Sequence, residues 1–165
     1  MELVEAAGMA RALISDFGLN GTLFTAGWQF GWNRRKRSLG LCRYHEKRIE
    51  LSTYFVGANG EAEVRETILH EIAHALAGEK AGHGPKWKAM CLRVGCKPER
   101  CDKGGAVMPR GRWQAACPTC GKEYWRHRRP ARRAHYWCRA CGPERGPVEF
   151  RPHVPTPHDP AKVLS

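Results

Sequence analysis

Two histidines lie four residues apart in the segment TILHEIAHALAG, residues 67–78, and a glutamate directly follows the first of them. Positions i and i+4 of a helix lie on one face, so His70 and His74 can direct both imidazoles at one metal ion. Glu71 lies about 100° further round the helix axis, too far to be a ligand beside them but near enough to contact a water molecule on that ion. This is the H-E-x-x-H arrangement, in which zinc lowers the pKa of water to about 7 and the glutamate is the general base.

The alternative is an amphipathic helix whose polar stripe contains two histidines and no metal. The residues around the pair argue against this alternative, because a helix that is apolar most of the way round is a buried helix. Buried imidazoles and a buried carboxylate need partners, and a metal ion supplies one. The apolar neighbours are Ile68, Leu69, Ile72, Ala73, Ala75 and Leu76.

A catalytic zinc needs three protein ligands and one open position. His83, in the segment AGHGPKWK, is the predicted third ligand because it follows His74 by nine residues, after a glycine that ends the helix. The glycines on either side of His83 allow a close approach of the backbone. Glu79 and Glu99 are alternative third ligands, and a solvent-exposed loop histidine is the interpretation in which His83 binds nothing.

The elements that must position these residues follow from periodicity. Residues 2–17 have helical apolar spacing, residues 61–77 form a helix that stops at a glycine, and residues 85–94 form a short helix with proline in its first turn. Between the first two helices, the segments TLFTAGWQFGW, LGLCRY and IELSTYF predict three antiparallel strands in a meander. The predicted fold class is therefore α+β, with helices packed on a small antiparallel sheet.

Two further clusters of metal-ligating residues are the pairs CPTC and CRAC, separated by seventeen residues. Two C-x-x-C knuckles at this distance predict a four-cysteine zinc ribbon over residues 112–146, whose closed coordination sphere makes the zinc structural. Disulfides or a thioredoxin-like dithiol are disfavoured, since no signal peptide and no βαβ pattern accompany the pairs. The predicted ligands are Cys117, Cys120, Cys138 and Cys141.

The remaining thiols do not show knuckle spacing. Cys91, Cys96 and Cys101 are each separated by four residues and are interpreted as buried or free thiols, with a further metal role as the alternative. Cys42 falls in a predicted strand and is interpreted as a core residue.

The net charge of +12 is concentrated towards the end of the chain. Residues 1–80 carry ten basic and ten acidic side chains, whereas residues 110–151 carry eleven and three. Arginines bind phosphates and aromatic rings stack on unpaired bases, so this region predicts a nucleic-acid partner, with DNA favoured and single strands possible. The alternative for the two tryptophans is that they cover the hairpins of the ribbon. The candidate contacts are Arg126, Arg128, Arg129, Arg132, Arg133, Trp125 and Trp137.

The segments GLCRYHEKRIELS, LHEIAHAL and GHGPKWKAMC, in this order, resemble the SprT-like metalloprotease domain, the group that includes the Spartan DNA–protein crosslink proteases. The resemblance covers roughly residues 1–100. It implies a zincin-like fold with His70, His74 and His83 as zinc ligands and Glu71 as catalyst. SprT-like proteins often carry a ribbon after the protease domain. The spacer between His74 and His83 is eight residues, shorter than in the Spartan branch.

A peptidase must also hold its substrate extended across the metal, and an open sheet edge does so through main-chain hydrogen bonds. The strand RIELSTYF is expected to be this edge, beside the active-site helix. The resembled family's usual arrangement implies the same.

Together these features predict a zincin domain over residues 1–108, the basic ribbon over 112–146, and a disordered proline-rich tail over 147–165. The predicted function is that of a zinc metalloendopeptidase with two zinc ions, recruited to DNA or DNA-bound proteins by its ribbon. The alternatives are a nucleic-acid-binding zinc protein whose zincin domain is a non-catalytic scaffold, and a peptidase whose ribbon binds proteins. No apolar run is long enough for a membrane span, and a cytoplasmic location, nuclear or nucleoid-associated if DNA-bound, is expected.

Overall fold

The computed structural model describes residues 1–22, 25–99 and 106–154, without the side chains of residues 22–26. Cys101 and the part of the predicted tail from residue 155 onward lie outside the described residues. The chain divides into two compact units, of which the first spans Met1–Met108 and the second begins at Pro109. Across the described ranges, no helix is long and apolar enough to cross a membrane.

The helices of the first unit begin and end at residues that suit helix termini. The first helix opens with a capping box between Glu2 and Glu5. Gly78 and Gly95, at φ values of 86° and 81°, follow the third and fourth helices in a conformation that favours glycine. The three helices predicted from periodicity are confirmed, and a short one was not predicted. The four are α1 (Leu3–Asp16), α2 (Thr53–Ala58), α3 (Glu61–Ala77) and α4 (Pro85–Val94).

The sheet beside these helices has three strands, and its order corrects the predicted meander. The last strand in sequence lies in the centre, parallel to the first and antiparallel to the second. The first two strands in this unit, β1 (Gly21–Thr22) and β2 (Thr25–Ala26), form a separate antiparallel pair. The strands of the sheet are β3 (Gln29–Asn33), β4 (Gly40–Arg43) and β5 (Arg48–Ser52), in the order β3-β5-β4.

The burial of β5 agrees with its central position. Every residue of β5 after Arg48 is buried, whereas β3 and β4 are partly exposed along their length. A strand buried on both faces belongs inside a sheet, and half-exposed strands suit its edges. The prediction that RIELSTYF is an open, substrate-binding edge is therefore wrong, and Thr53–Ala58, its predicted continuation, forms α2 instead.

The core of the first unit surrounds α3, in which Val64, Ile68, Leu69, Ile72 and Ala73 are fully buried, whereas Ala75 and Leu76 are half-buried. The helix packs against α1, α4 and strands β4 and β5. Each large apolar side chain removed from water contributes about 1.5–3 kcal/mol, so this packing holds α3 firmly in place. The largest fully buried apolar side chains are those of Ile49, Leu51, Phe55, Ile68, Leu69, Ile72 and Trp87.

The second unit is a small antiparallel sheet with a core of its own. Its strands, in the order β7-β6-β8, are β6 (Trp113–Ala116), β7 (Glu123–Arg126) and β8 (Arg151–Pro152), and a single helical turn, α5, spans Gly142–Arg145. Ala115, Val148 and two cysteines form the buried core, against which Tyr124, Tyr136 and Phe150 pack.

This arrangement corrects the predicted start of the disordered tail. Val148 is 7% exposed, and Arg151 and Pro152 pair with β6. Residues 147–154 therefore belong to the folded unit. The reason is that the segment with the two cysteine pairs has few apolar side chains of its own. Val148 and Phe150, two residues apart, supply further apolar side chains to the core of this unit.

Candidate functional site

Three histidines from two segments converge in the first unit. His70 and His74 lie one turn apart on α3, and His83 lies in the glycine-flanked turn before α4. The Nε2 atoms of His74 and His83 are 3.1 Å apart, and those of His83 and His70 are 3.4 Å apart. The structure thus brings together the three residues that the sequence analysis selected as a ligand set.

The geometry of these nitrogens suits a metal ion. One ligand atom from each histidine lies within 4.8 Å of those of the other two. Nitrogen ligands at about 2.0–2.1 Å on a tetrahedral zinc lie about 3.3–3.4 Å from one another, close to the two measured separations. Among the described residues, Glu79 and Glu99 do not join this group. The three histidines can therefore hold a metal ion with a fourth position left open, and the arrangement is compatible with zinc.

The protonation state of the histidines also suits a metal. The pKa of His70 is lowered to about 4, first by burial and then by the nearby His83. The pKa of His74 is likewise lowered to about 4, by burial and then by the other two imidazoles. Both rings are therefore neutral near pH 7, the form in which imidazole is a ligand.

A buried tryptophan that the sequence analysis did not select lies against all three imidazoles. The Trp87 ring centroid is 4.8 Å from that of His70, 5.2 Å from that of His74 and 4.6 Å from that of His83. The planes of Trp87 and His74 are 28° apart, which is a stacked arrangement. Trp87 is fully buried in the first turns of α4. Its spacing of four residues from His83, across a helix start, was the signal that could have found it.

Glu71 is buried beside the histidines and faces the strand β4. Its residue is 8% exposed, and burial raises its pKa to about 8, against the opposing effect of a backbone hydrogen bond from Cys42. A cation held by the histidines would favour the ionised carboxylate, because an opposite charge stabilises it. The structure therefore places a titratable carboxyl group next to the ligand set.

Strand β4 is an open edge that lines the cleft above the histidines. In the described part of the chain it pairs with β5 on one side and with no strand on the other. Cys42, interpreted as a core residue, is half-buried on this strand and lines the cleft. The cleft has a volume of about 1190 Å³, above the range of about 300–1,000 Å³ that is usual for small-molecule sites. Its size and its strand edge suit an extended polymer better than a small ligand.

The cleft is acidic beyond the metal site. Among the residues that the structure describes, four carboxylates besides Glu71 line it, together with a single lysine, Lys97. The backbone N–H of Lys97 donates to Glu66 at 2.7 Å, which ties the segment after α4 to α3. The four carboxylates are those of Glu63, Glu66, Glu79 and Glu99.

The comparison with known proteins matches the part of the chain that contains this site. The SprT-like family model matches residues 12–104, more than half of the chain. The chain belongs to the SprT-like family. Protein SprT of Pseudomonas savastanoi pv. phaseolicola (strain 1448A / Race 6) is 28% identical over 128 residues, 70% of this chain and 76% of the relative. Protein SprT of Pseudomonas entomophila (strain L48) is 25% identical over 124 residues, 68% and 76% of the two chains. No solved structure matches the chain.

The four ribbon cysteines lie beyond the matched SprT-like residues and form a second cluster. Their sulfur atoms all lie within 4.8 Å of one another, and the Sγ atoms of Cys120 and Cys138 are 3.7 Å apart. Sulfur ligands at about 2.3 Å on a tetrahedral zinc lie about 3.8 Å apart, so the cluster fits a metal ion. The pKa of Cys117 is lowered, first by the backbone of Cys120, whereas that of Cys141 is raised to about 12, first by a hydrogen bond with Cys120, so the four thiols share their protons unequally.

The predicted nucleic-acid residues of the ribbon fall into two groups. The guanidinium of Arg126 lies 4.7 Å from the Tyr136 ring centroid, and that of Arg129 lies 5.7 Å from that of Trp113. These two arginines have contacts within the unit. All five arginines are exposed, and among the described residues Arg128, Arg132 and Arg133 have no aromatic ring beneath the guanidinium.

The two tryptophans also differ. The Trp125 ring contacts His153 at a centroid distance of 4.8 Å and lies 4.9 Å from the guanidinium of Arg110. Trp137 is 53% exposed. The packing interpretation therefore suits Trp125, whereas Trp137 has a ring surface open to a ligand.

Of the remaining thiols, Cys91 and Cys96 are buried, as one of the two sequence interpretations expected. They are close enough for their side chains to interact, and burial is the main cause that raises the pKa of each thiol. Among the described residues they belong to no group of three or more metal ligands.

Proposed function

We propose that this SprT-like chain is a zinc-dependent metallopeptidase. The observation that carries the proposal is the convergence of three imidazoles and one buried carboxyl group beside an open strand edge. The resemblance noted in the sequence adds a zincin-like fold to the proposal, with α3 as the active-site helix. His70, His74 and His83 would hold the zinc ion, and Glu71 would be the catalytic residue.

The chemistry follows from the positions of these groups. Zinc, when bound, would supply Lewis acidity to a water molecule and to the substrate carbonyl. The Glu71 carboxylate takes a proton from the attacking water and then gives it to the amine that leaves. Burial raises the pKa of Glu71, whereas a bound cation would lower it, and the balance of these opposed effects sets how readily the carboxyl group accepts and then donates a proton.

Trp87 and the edge strand have supporting roles in this proposal. The indole restricts the rotation of all three imidazoles, as groups that pack against metal ligands commonly do. Strand β4, in place of the predicted RIELSTYF, presents the free main-chain groups that hold an extended substrate by adding it as a strand.

The second zinc would be structural, because four thiolates leave no open position. We infer that the ribbon recruits the peptidase to DNA or to DNA-bound proteins. This inference rests on the excess of basic side chains in residues 110–151 and on the exposed Arg128, Arg132 and Arg133. Trp137 would add stacking on an unpaired base.

The acidic cleft supports a particular class of protein substrate. Carboxylates that line a cleft favour basic segments and disfavour acidic ones by several-fold per charge pair at low salt. Nucleic-acid-binding proteins are rich in such basic segments. We therefore propose that the cleft accepts basic, extended segments of proteins that are bound to nucleic acid.

The experiment that tests the proposal replaces Glu71 by glutamine. The variant should retain its zinc content and lose cleavage of a basic, unfolded protein, since it lacks a base but keeps every ligand. Glu61→Gln is the matched control, because Glu61 is exposed in the first turn of the same helix and is not among the residues that line the cleft. Cleavage by Glu71→Gln at the wild-type rate would show that Glu71 is not the catalytic residue. No cleavage by the zinc-loaded wild type would favour the alternative, a nucleic-acid-binding zinc protein with a non-catalytic scaffold.

A further inference from the structure

A run of four cations lies on the loop between β3 and β4 of the first unit. Arg34, Arg35 and Arg37 are exposed, and Lys36 is half-buried. In the part of the chain that the structure describes, none of the four forms an ion pair with a carboxylate. Residues 1–80 have no net charge as a whole, but positive charge is concentrated at residues 34–37.

The backbone of this loop is tied down on both sides. The N–H of Arg35 donates to Oδ1 of Asn33 at 3.0 Å, and the hydroxyl of Ser52 donates to the carbonyl of Arg35 at 2.6 Å. Ser52 is the last residue of the central strand and is fully buried. The backbone of the loop is thus held against the central strand at Arg35.

An aromatic ring lies among these charges. The Nζ atom of Lys36 is 4.7 Å from the centroid of the Tyr54 ring. A hydrogen bond from Arg34 is the main cause that lowers the pKa of the Tyr54 phenol, and the charges of Lys36 and Arg34 add to it. Lys36 and Arg34 therefore both interact with the half-exposed side chain of Tyr54.

Like charges crowded on a short loop repel one another unless an anion neutralises them. Arginine side chains bind phosphate oxygens in a bidentate manner, and an aromatic ring beside them can support a base or a sugar. A single small anion would neutralise one or two of the four charges, whereas a phosphate chain neutralises all of them. The four charges therefore fit the phosphodiester backbone of a nucleic acid.

We propose that the loop of residues 34–37, with Tyr54, is a nucleic-acid contact on the catalytic unit itself. It is separate from the contact proposed for the ribbon. Arg37 precedes Gly40, the first residue of the strand that lines the cleft, by three residues. The acidic cleft repels phosphates, so the nucleic acid stays on the loop while a basic protein segment enters the cleft. The catalytic unit would in this way recognise both components of a protein–nucleic acid complex.

The test removes the four charges from the full-length chain as R34Q/R35Q/K36Q/R37Q. Binding of a fluorescein-labelled oligothymidylate is measured by anisotropy over a series of salt concentrations. Each lost phosphate contact on a single strand flattens the slope of log affinity against log salt by about 0.7, so a decrease of about 2–3 is expected. Affinity at low salt should fall at least about tenfold.

The matched control is R11Q/R65Q/K88Q/R93Q, which removes the same net charge from exposed side chains on α1, α3 and α4. This control should keep a slope within about one unit of the wild type. Because Arg34 and Lys36 contact Tyr54, the pair R35Q/R37Q serves as a second variant if the fourfold variant does not fold. The pair should show about half of the change in slope.

Binding by the loop is distinguished from binding by the ribbon with a ribbon variant, R128A/R132A/R133A. This variant is measured alone and in combination with the loop variant. A loss of slope in the loop variant, with or without the ribbon arginines, supports the proposal even if the ribbon binds nothing. A loop variant that binds like the matched control overturns it. The proposal is also overturned if the loop variant binds the oligonucleotide normally but loses binding to polyglutamate, since the loop would then be a contact for acidic proteins.

Discussion

A Cβ atom placed on Gly40 would lie 2.9 Å from Oε1 of Glu71 and 2.9 Å from its Cγ. The same atom would lie 3.2 Å from the carbonyl oxygen of Glu50 on the neighbouring strand, so it could not move away from Glu71. The edge strand and the carboxyl group therefore touch at a position where any side chain would intrude. The φ angle of Gly40 is not positive, so its backbone conformation does not call for glycine. The reason for glycine at this position is the close approach of Glu71.

Gly40→Ala should displace the Glu71 carboxyl group without removing any zinc ligand. A shift of about 1 Å at a catalytic group costs up to about 100-fold in rate, so cleavage should fall by 10- to 100-fold at unchanged zinc content. Gly8→Ala is the control, because a Cβ at Gly8 on α1 meets nothing within 4 Å. The control should be more stable by about 0.5–1 kcal/mol, and equal activity of both variants would disprove the close-contact argument.

Trp87 should control the affinity of the histidine site. Trp87→Leu loses the ring that packs on three imidazoles, and we expect zinc affinity to fall by about 10- to 100-fold, as for other groups that orient ligands. Competition with a chromophoric chelator measures this affinity, and thermal unfolding of the zinc-free protein measures the separate loss of packing. Trp32→Leu changes a partly buried tryptophan that packs on the core and has no ring contact with the histidines. If both variants bind zinc equally, Trp87 has a packing role alone.

The two metal sites should lose their ions independently. His70→Ala should remove one zinc per chain and leave the ribbon's zinc, and Cys138→Ala should do the reverse. Metal content by plasma emission gives the stoichiometry. The ribbon variant should also unfold the second unit, because its core is small and metal binding supplies much of its folding free energy. One zinc per wild-type chain after reconstitution would contradict the two-site proposal.

The exposed ribbon arginines should govern binding to nucleic acid. R128A/R132A/R133A is the clean variant, since Arg126 and Arg129 pack on aromatic rings. For this variant, the slope of log affinity against log salt on single strands should be smaller by about 2. Trp137→Ala should weaken binding to single strands by about 1–3 kcal/mol, the free energy of stacking on one base. Cleavage of a DNA-bound protein should fall, while cleavage of a free basic peptide stays constant. An equal loss on both substrates would instead indicate a protein-docking role for the ribbon.

Features that depend on neighbours in sequence could be predicted without the structure. The helix over 61–77, its end at Gly78 and the joint orientation of His70 and His74 follow from a local period of 3.6 residues and a glycine at the helix end. The two cysteine knuckles are likewise local, because each C-x-x-C pair is one tight turn. Metal chemistry then requires each set of ligands to meet, which is why His83 could be added across the break after α3.

Features that depend on distant packing were decided by the tertiary structure. Strand order was one of them: β5 lies between β3 and β4 and is buried on both faces, and periodicity within each strand does not report its neighbours. This order moved the open edge to β4 and placed Gly40 against Glu71. Packing between distant parts of the chain also places Val148 and Phe150 in the ribbon core and Trp87 against the three histidines. The sequence determined which residues could bind metal and accept a proton, and long-range burial decided which strand, ring and loop surround them.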